Sequence, residues 1–130
     1  MNYRHAYHAG NFADVLKHAV LVGLIEALKL KSTPFCIVDT HAGSARYSLT
    51  SAEAEQTREF ASGIKPLLAL TQLPSLLHVY LNVVRAFNAG APQALHTYPG
   101  SPLISTALMR PGDRLIACEL QPEEARKLKQ

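Results

Sequence analysis

Two short apolar runs, each ending in an acid, constrain this chain most. Phe35-Cys36-Ile37-Val38 leads into Asp39, and Leu115-Ile116-Ala117-Cys118 leads into Glu119. Apolar runs of this length without polar alternation are the pattern of strands covered on both faces, as in a parallel sheet. The rest of the chain reads as helix. Asn11 is placed to cap a helix with Asp14 in its first turn. Leu16, Val20, Gly23, Leu24, Ala27 and Leu28 then recur at helical spacing to about Lys29. Ser51 to Phe60 and Pro74 to Phe87 follow the same period, and Asn88-Ala89-Gly90-Ala91-Pro92 ends the second. Ser101 followed by Pro102 reads as an N-cap and first helical residue, opening a short helix from Leu103 to Met109. Pro111-Gly112-Asp113 is a turn, Arg114 to Leu120 the second strand, and Pro122 opens a last helix. Helix, strand, helices, strand and helix in that order make an α/β pattern.

Composition bounds the function classes. The 130 residues are enough for one domain with one core, and 48% hydrophobic with 18% charged fits a globular chain rather than a disordered one. The net charge of +3 permits a nucleic-acid partner without demanding one, because no dense Lys/Arg run appears. Cys36 and Cys118 match no zinc spacing and fit a reduced compartment, so a cytoplasmic setting is expected. Met1 to His5 lacks the apolar core of a secretion signal, and Ala19 to Leu28 is too short to span a bilayer, so no membrane role is expected.

The chemistry concentrates at strand ends. In open α/β sheets, ligands sit beyond the C-terminal ends of parallel strands. Asp39-Thr40-His41-Ala42-Gly43 follows one strand and Glu119 closes the other. A glycine loop lets backbone approach a ligand, and a carboxylate there can accept both hydroxyls of a ribose. That describes a site for a nucleoside-containing cofactor. The plainer alternative is a turn at Gly43 and a helix cap at Glu119. A second alternative is a metal hydrolase gathering His5, His8, His41 and Asp39, although their spacing matches no known motif. The opening Tyr3-Arg4-His5-Ala6-Tyr7-His8 interleaves basic and aromatic groups, which can stack on a base, or it is a frayed terminus. Lys17 and His18 are adjacent polar residues in a mostly apolar helix, which points to a cleft rather than a solvated face. His78 and His96 read as surface residues.

Four segments together resemble the RlmJ family. They are Y-R-H-A-Y-H-A-G-N-F-A-D-V-L-K-H at the start, D-T-H-A-G-S-A-R-Y, N-V-V-R-A-F-N and Y-P-G-S-P. Members are bacterial methyltransferases that modify the exocyclic amine of an adenine in 23S ribosomal RNA with S-adenosyl-L-methionine. The resemblance covers essentially the whole chain. It implies an α/β, Rossmann-like S-adenosylmethionine-dependent methyltransferase fold, here incomplete. Residues 1–130 would form the N-terminal part of one domain, with an inserted helical subdomain at 50–95. It implies cofactor contacts at His18, His41, Ser101 and Glu119, with Glu119 on the ribose. It implies substrate contacts at Tyr3, His5 and Lys17, no resident metal, and a monomer. Where methyltransferase loops usually carry a second glycine, this chain has Ala45. A larger departure is the absence of any D-P-P-Y-like tetrapeptide, whose acid and carbonyl orient the amine. No catalytic residue is therefore expected in this chain, which reads as the N-terminal part of a longer protein, inactive alone. Some members have been described as needed for use of external DNA, so nucleic-acid binding or DNA utilisation without catalysis is the alternative.

Overall fold

A computed structural model describes residues 3–90 and 94–130. Residues 91 and 92 of the predicted 88–92 turn lie outside them. The elements are α1 (Phe12–Lys29), β1 (Cys36–Asp39), β2 (Arg46–Ser48), α2 (Ala52–Thr57), α3 (Ile64–Leu68), α4 (Ser75–Ala86), β3 (Thr97–Pro99), α5 (Ser101–Leu108), β4 (Arg114–Ala117) and α6 (Pro122–Leu128). Single 3-10 turns span His5–Tyr7 and Glu59–Ala61.

The two apolar runs pair as parallel strands, with Cys36 opposite Arg114 and Asp39 opposite Ala117. Their acid-bearing ends thus lie side by side. Asp113 fixes the opposite end: its carboxylate accepts the Phe35 N–H at 3.0 Å, the Arg110 N–H at 2.8 Å and the Arg110 guanidinium. The Arg110 hydrogen bonds hold its carboxyl down at about 2. Beyond the ladder the chains stay joined, as Cys118 N–H donates to Asp39 O and Ala42 N–H to Cys118 O.

Asn11 caps α1 as expected, accepting the Asp14 N–H at 2.9 Å, and Ser51 caps α2 through the Ala54 N–H. α1 packs on α4 and α5, and Val22, Tyr80, Leu81, Val84, Tyr98 and Ile104 make the closed centre of the core. Asn88 ties the end of α4 to β3, accepting the His96 and Thr97 N–H groups and donating to Val84 O and Thr97 O.

The structure corrects several expectations. The stripe Leu16, Val20, Leu24 and Leu28 lies on the exposed side of α1, while Asp14, His18, Val22 and Ile25 face the core. α1 is apolar on both sides, so its period does not say which side turns inward. The strands are not covered on both faces: Val38 and Ile116 are 57% and 52% exposed, and Cys36 and Cys118 are free and exposed. α5 packs on one face of the β1–β4 pair. β4 ends at Ala117 rather than Leu120. The predicted 51–60 helix stops at Thr57, where Arg58 takes a left-handed φ of 51°. The sequence pattern missed the antiparallel ribbon in which Tyr47 of β2 faces Tyr98 of β3. Ser101 is not the cap of α5: Gly100 occupies that position without a side-chain bond, and Ser101 is the first helical residue.

Candidate cofactor and nucleotide site

The ends of β1 and β4, the start of α5, the first half of α1 and the N-terminal arm enclose one cleft of about 290 Å³. Tyr3, His5, Lys17, His18, His41, Ser101 and Glu119, the seven residues singled out in the sequence, all line it. Ala42, Gly43, Tyr47, Gly100, Gln121 and Glu124 complete the wall.

The floor is the loop after β1. Ser101 donates to Asp39 Oδ2 at 2.6 Å, which explains why it is turned away from capping α5, and the His41 N–H reaches Asp39 Oδ1 at 3.3 Å. Gly43 has φ +62°, and a Cβ there would sit 2.1 Å from the Tyr47 hydroxyl. Glycine is therefore required by Tyr47 as much as by any ligand. The Ser44 N–H donates to that same hydroxyl at 3.2 Å, and burial pushes the Tyr47 phenol up to about 12. Glu119 accepts the Gly43 N–H on one oxygen and the Gln121 N–H on the other, both at 2.8 Å. The plain role foreseen for Gly43, a turn, is thus real, whereas the cap of α6 is the Gln121 side chain, which accepts the Glu124 N–H at 2.7 Å, and not Glu119. Each Glu119 oxygen retains a second lone pair for a ligand hydroxyl.

The arm is held rather than frayed. Tyr3 is hydrogen-bonded to His5 Nδ1 at 2.7 Å, and its ring stacks on His8 with centroids 5.3 Å apart. His8 and Asn11 both meet Glu59, at 3.0 and 2.9 Å. His5 Nε2 and the Lys17 ammonium each reach Asp14 at 2.9 Å, and the Gly10 N–H donates to it at the same distance. Asp14 is 1% exposed. Burial alone would raise its carboxyl, but the His5 hydrogen bond, the charges of His5 and His18 and the Lys17 hydrogen bond hold it well below the usual range. Asp14 is thus a charged hub that places two candidate substrate contacts, His5 and Lys17.

His18 is buried, with Nδ1 2.7 Å from the Tyr98 hydroxyl. Burial drives its imidazole down to about 4, against the pull of nearby Asp14, so the ring is neutral at pH 7. Among the described residues no three His, Cys, Asp or Glu side chains gather into a metal-binding group. His5 and His8, the pair a metal hydrolase would use, are tied to different carboxylates.

Comparison with known proteins adds a name to this geometry. The family model "Ribosomal RNA large subunit methyltransferase D, RlmJ" matches residues 32–130. The chain belongs to this family. Ribosomal RNA large subunit methyltransferase J of Escherichia coli strain K12 is 48% identical over 124 residues, and its namesake in Haemophilus influenzae 44%. Each alignment takes in 95% of this chain and 44% of the relative. A Legionella pneumophila crystal structure assigned to the model DUF519 superposes with a TM-score of 0.86 at 40% identity, over 95% of this chain and 44% of that one. The chain thus spans less than half the length of the RlmJ-family proteins it matches, and its mixed α/β architecture is that part of their methyltransferase fold.

Sequence reasoning missed four cleft-shaping residues. Asp14 looked like an ordinary first-turn acid. Tyr80 and Tyr98 are far from His18 in sequence, and only the fold joins them. Glu124 lines the cleft from α6 and leaves one buried oxygen, Oε2, without a partner. For Asp14 a signal existed, since it lies four residues before His18 on the same helical face.

Proposed function

We propose that this chain provides the S-adenosyl-L-methionine site and part of the adenosine site of an enzyme that methylates an adenine exocyclic amine in 23S ribosomal RNA. One observation carries this: seven side chains from the arm, α1, the β1 loop, α5 and the end of β4 converge on a single cleft. The donor set fits the cofactor. Glu119, at a strand end with free lone pairs, suits ribose hydroxyls. His18, His41 and the start of α5 supply hydrogen-bonding groups around it. Once bound, the cofactor's sulfonium supplies a reactive methyl group. The protein's part is to bind and orient. Asp14 holds His5 and Lys17 on the arm side of the cleft, where Tyr3 can stack on an adenine extruded from RNA. The chain contains no Asp-Pro-Pro sequence. The acid that orients the amine in enzymes of this type is therefore not among these residues, and the 130 residues bind without catalysing. The setting is cytoplasmic and the chain monomeric, with no membrane partner; no helix of the described residues is long and apolar enough to cross a bilayer.

The alternative, nucleic-acid binding or DNA utilisation without a cofactor, draws on the same arm and on the missing tetrapeptide. Calorimetry with S-adenosylhomocysteine separates the two. The expected result is weak binding that Glu119→Ala lowers about ten-fold and Tyr3→Ala leaves within two-fold, the fold-changes expected for losing or keeping a hydrogen bond to a charged group. Equal losses from both would remove Tyr3 from the substrate role. RNA affinity with a steep salt dependence and no cofactor-induced stabilisation would establish the alternative. Methyl transfer to 23S RNA by the purified chain would overturn the claim that it does not catalyse.

A further inference from the structure

We propose that a buried chain of hydroxyls, from Tyr80 through Tyr98 to His18, fixes the tautomer of His18 so that its Nε2–H donates into the cleft toward an acceptor oxygen of the bound ligand. The identity of that ligand rests on the cofactor reading above; the tautomer does not.

The number of hydroxyl protons to be placed decides the tautomer. Tyr80 and Tyr98 are fully closed off from solvent, and their hydroxyl oxygens are 2.6 Å apart. The Tyr98 hydroxyl is also 2.7 Å from His18 Nδ1. The Tyr80 hydroxyl has no other protein partner among the described residues. Two arrangements are open. In one, Tyr80 donates to Tyr98 and Tyr98 donates to Nδ1, so every hydroxyl proton is used. In the other, Nδ1–H donates to Tyr98, and the single Tyr98–Tyr80 contact must serve two hydroxyl protons, which leaves one of them buried without an acceptor. An orphaned buried donor is the costlier state. The first arrangement therefore holds, and the imidazole carries its one proton on Nε2.

That nitrogen has a use. Nε2 takes no protein partner and is not among the sealed, unpartnered atoms, while the ring lines the cleft. It opens on the ligand. A doubly protonated ring would need Nδ1 to donate to Tyr98 and would again strand a hydroxyl proton, so the relay also opposes the imidazolium. His18 then presents one neutral N–H to an oxygen, a carboxylate or a hydroxyl. It offers nothing to a cationic sulfonium or ammonium. The relay sets which end of a zwitterionic ligand can lie against α1. Tyr98 and Tyr80 touch no ligand and are positioning residues.

The test reads the nitrogen directly. In the full 130-residue chain with 15N-labelled histidine, two-bond proton–nitrogen spectra at pH 7 should show His18 as neutral Nε2–H, its signal identified by loss in His18→Gln. Tyr98→Phe should move that signal toward a mixture of tautomers and lower S-adenosylhomocysteine affinity about two-fold, since an even mixture leaves half of the molecules in the donating form. A role in packing alone would leave the tautomer pattern unmoved. His18 in the Nδ1–H or cationic form in the unaltered chain would overturn the proposal whether or not Tyr98→Phe folds, and an unchanged pattern in folded Tyr98→Phe would do the same. An Nε2–H pattern without any binding of S-adenosylhomocysteine would leave the relay standing and bring down the cofactor reading instead.

Discussion

Tyr80, Leu81, Val84, Tyr98 and Ile104 are shut away from solvent, whereas Val38 and Ile116, in strands whose sequence marks them for full burial, are more than half exposed. α1 shows the same contrast across its own width. Val22 and Ile25 are closed off on one side, and Leu16 and Leu24 are 68% and 59% exposed on the other. Apolar content does not separate the two regions; a covering layer does. Where α1, α4, α5 and the β2–β3 ribbon converge, side chains are enclosed, and both hydroxyls of the Tyr80–Tyr98–His18 chain are engaged while His18 Nε2 is left to the cleft. The β1–β4 pair has a helix on one face and two unpaired edges among the described residues. It nonetheless holds the acid-bearing strand ends in place, because Ser101 and Glu119 tie those ends, and Asp113 the opposite one, with hydrogen bonds rather than by packing.

The contrast is most exposed to failure in a pair of truncations. Leu81→Ala should cost about 2–5 kcal/mol in urea unfolding, as buried leucines do, and Leu24→Ala less than about 0.5 kcal/mol. Similar losses would mean that the outer side of α1 is covered in solution.

Next in size is a pH effect confined to the packed region. His18 titrates at about 4 in the fold against an ordinary 6.5, so the unfolded chain takes up its proton more readily. The stability this group confers is whole above pH 6.5 and is lost as pH falls toward 4, a change of about 3 kcal/mol at roughly 1.4 kcal/mol per pH unit. Asp14, whose folded value is lowered, gives up its share only at more acid pH. The groups that bear on His18 are Asp14, which raises its value, and Lys17 and His5, which lower it. Unfolding curves at pH 7 and pH 4.5 should show the difference, and His18→Gln should flatten it.

The smallest effect sharpens the picture at the cleft loop. Ala45 holds a φ of 63°, a left-handed conformation that costs a non-glycine residue about 1 kcal/mol. Ala45→Gly should therefore leave stability within about 0.5 kcal/mol of the parent, since relief of strain offsets the lost methyl and added chain entropy. Ala54→Gly in α2 should cost about 1 kcal/mol or more. Thermal melts of the two variants rank them.

These outcomes bear on what the sequence could disclose. A local signal was sufficient for the helix start at Asn11, because a cap is a bond within four residues, but it misplaced the cap at Ser101 by one residue. The strand positions were legible from apolar runs closed by Asp39 and Glu119. The inward face of α1 was not, because both of its sides are apolar. The ribbon was not, since two three-residue strands give too short a period to detect and their partners lie far apart in the chain. At the site, residue types at strand ends suggested a nucleoside cofactor, and the family resemblance named the seven residues. The two tyrosines stayed hidden because Tyr98 meets His18 across 80 residues of chain, whereas Asp14, whose partners His5, Gly10 and Lys17 are near, was passed over as a first-turn acid. Ala45, noted only as a missing glycine, proved to occupy a glycine-like conformation.

The parallel pairing of β1 with β4 has a consequence in time. The Phe35–Asp113 bond that opens the pair joins residues 78 apart. A ribosome adding roughly 5–20 residues per second takes on the order of 4–16 s to make that interval. Until Arg114 and its strand are made, Asp39 and its glycine loop lack the partner that brings Glu119 beside them. Drawing the two together then closes a long loop, at a chain-entropy cost of about 4 kcal/mol on a logarithmic length law. The helices around α1 can form from local contacts while this waits. The cleft is therefore incomplete in any nascent chain that has not yet reached Glu119, which lines it beside the β1 loop.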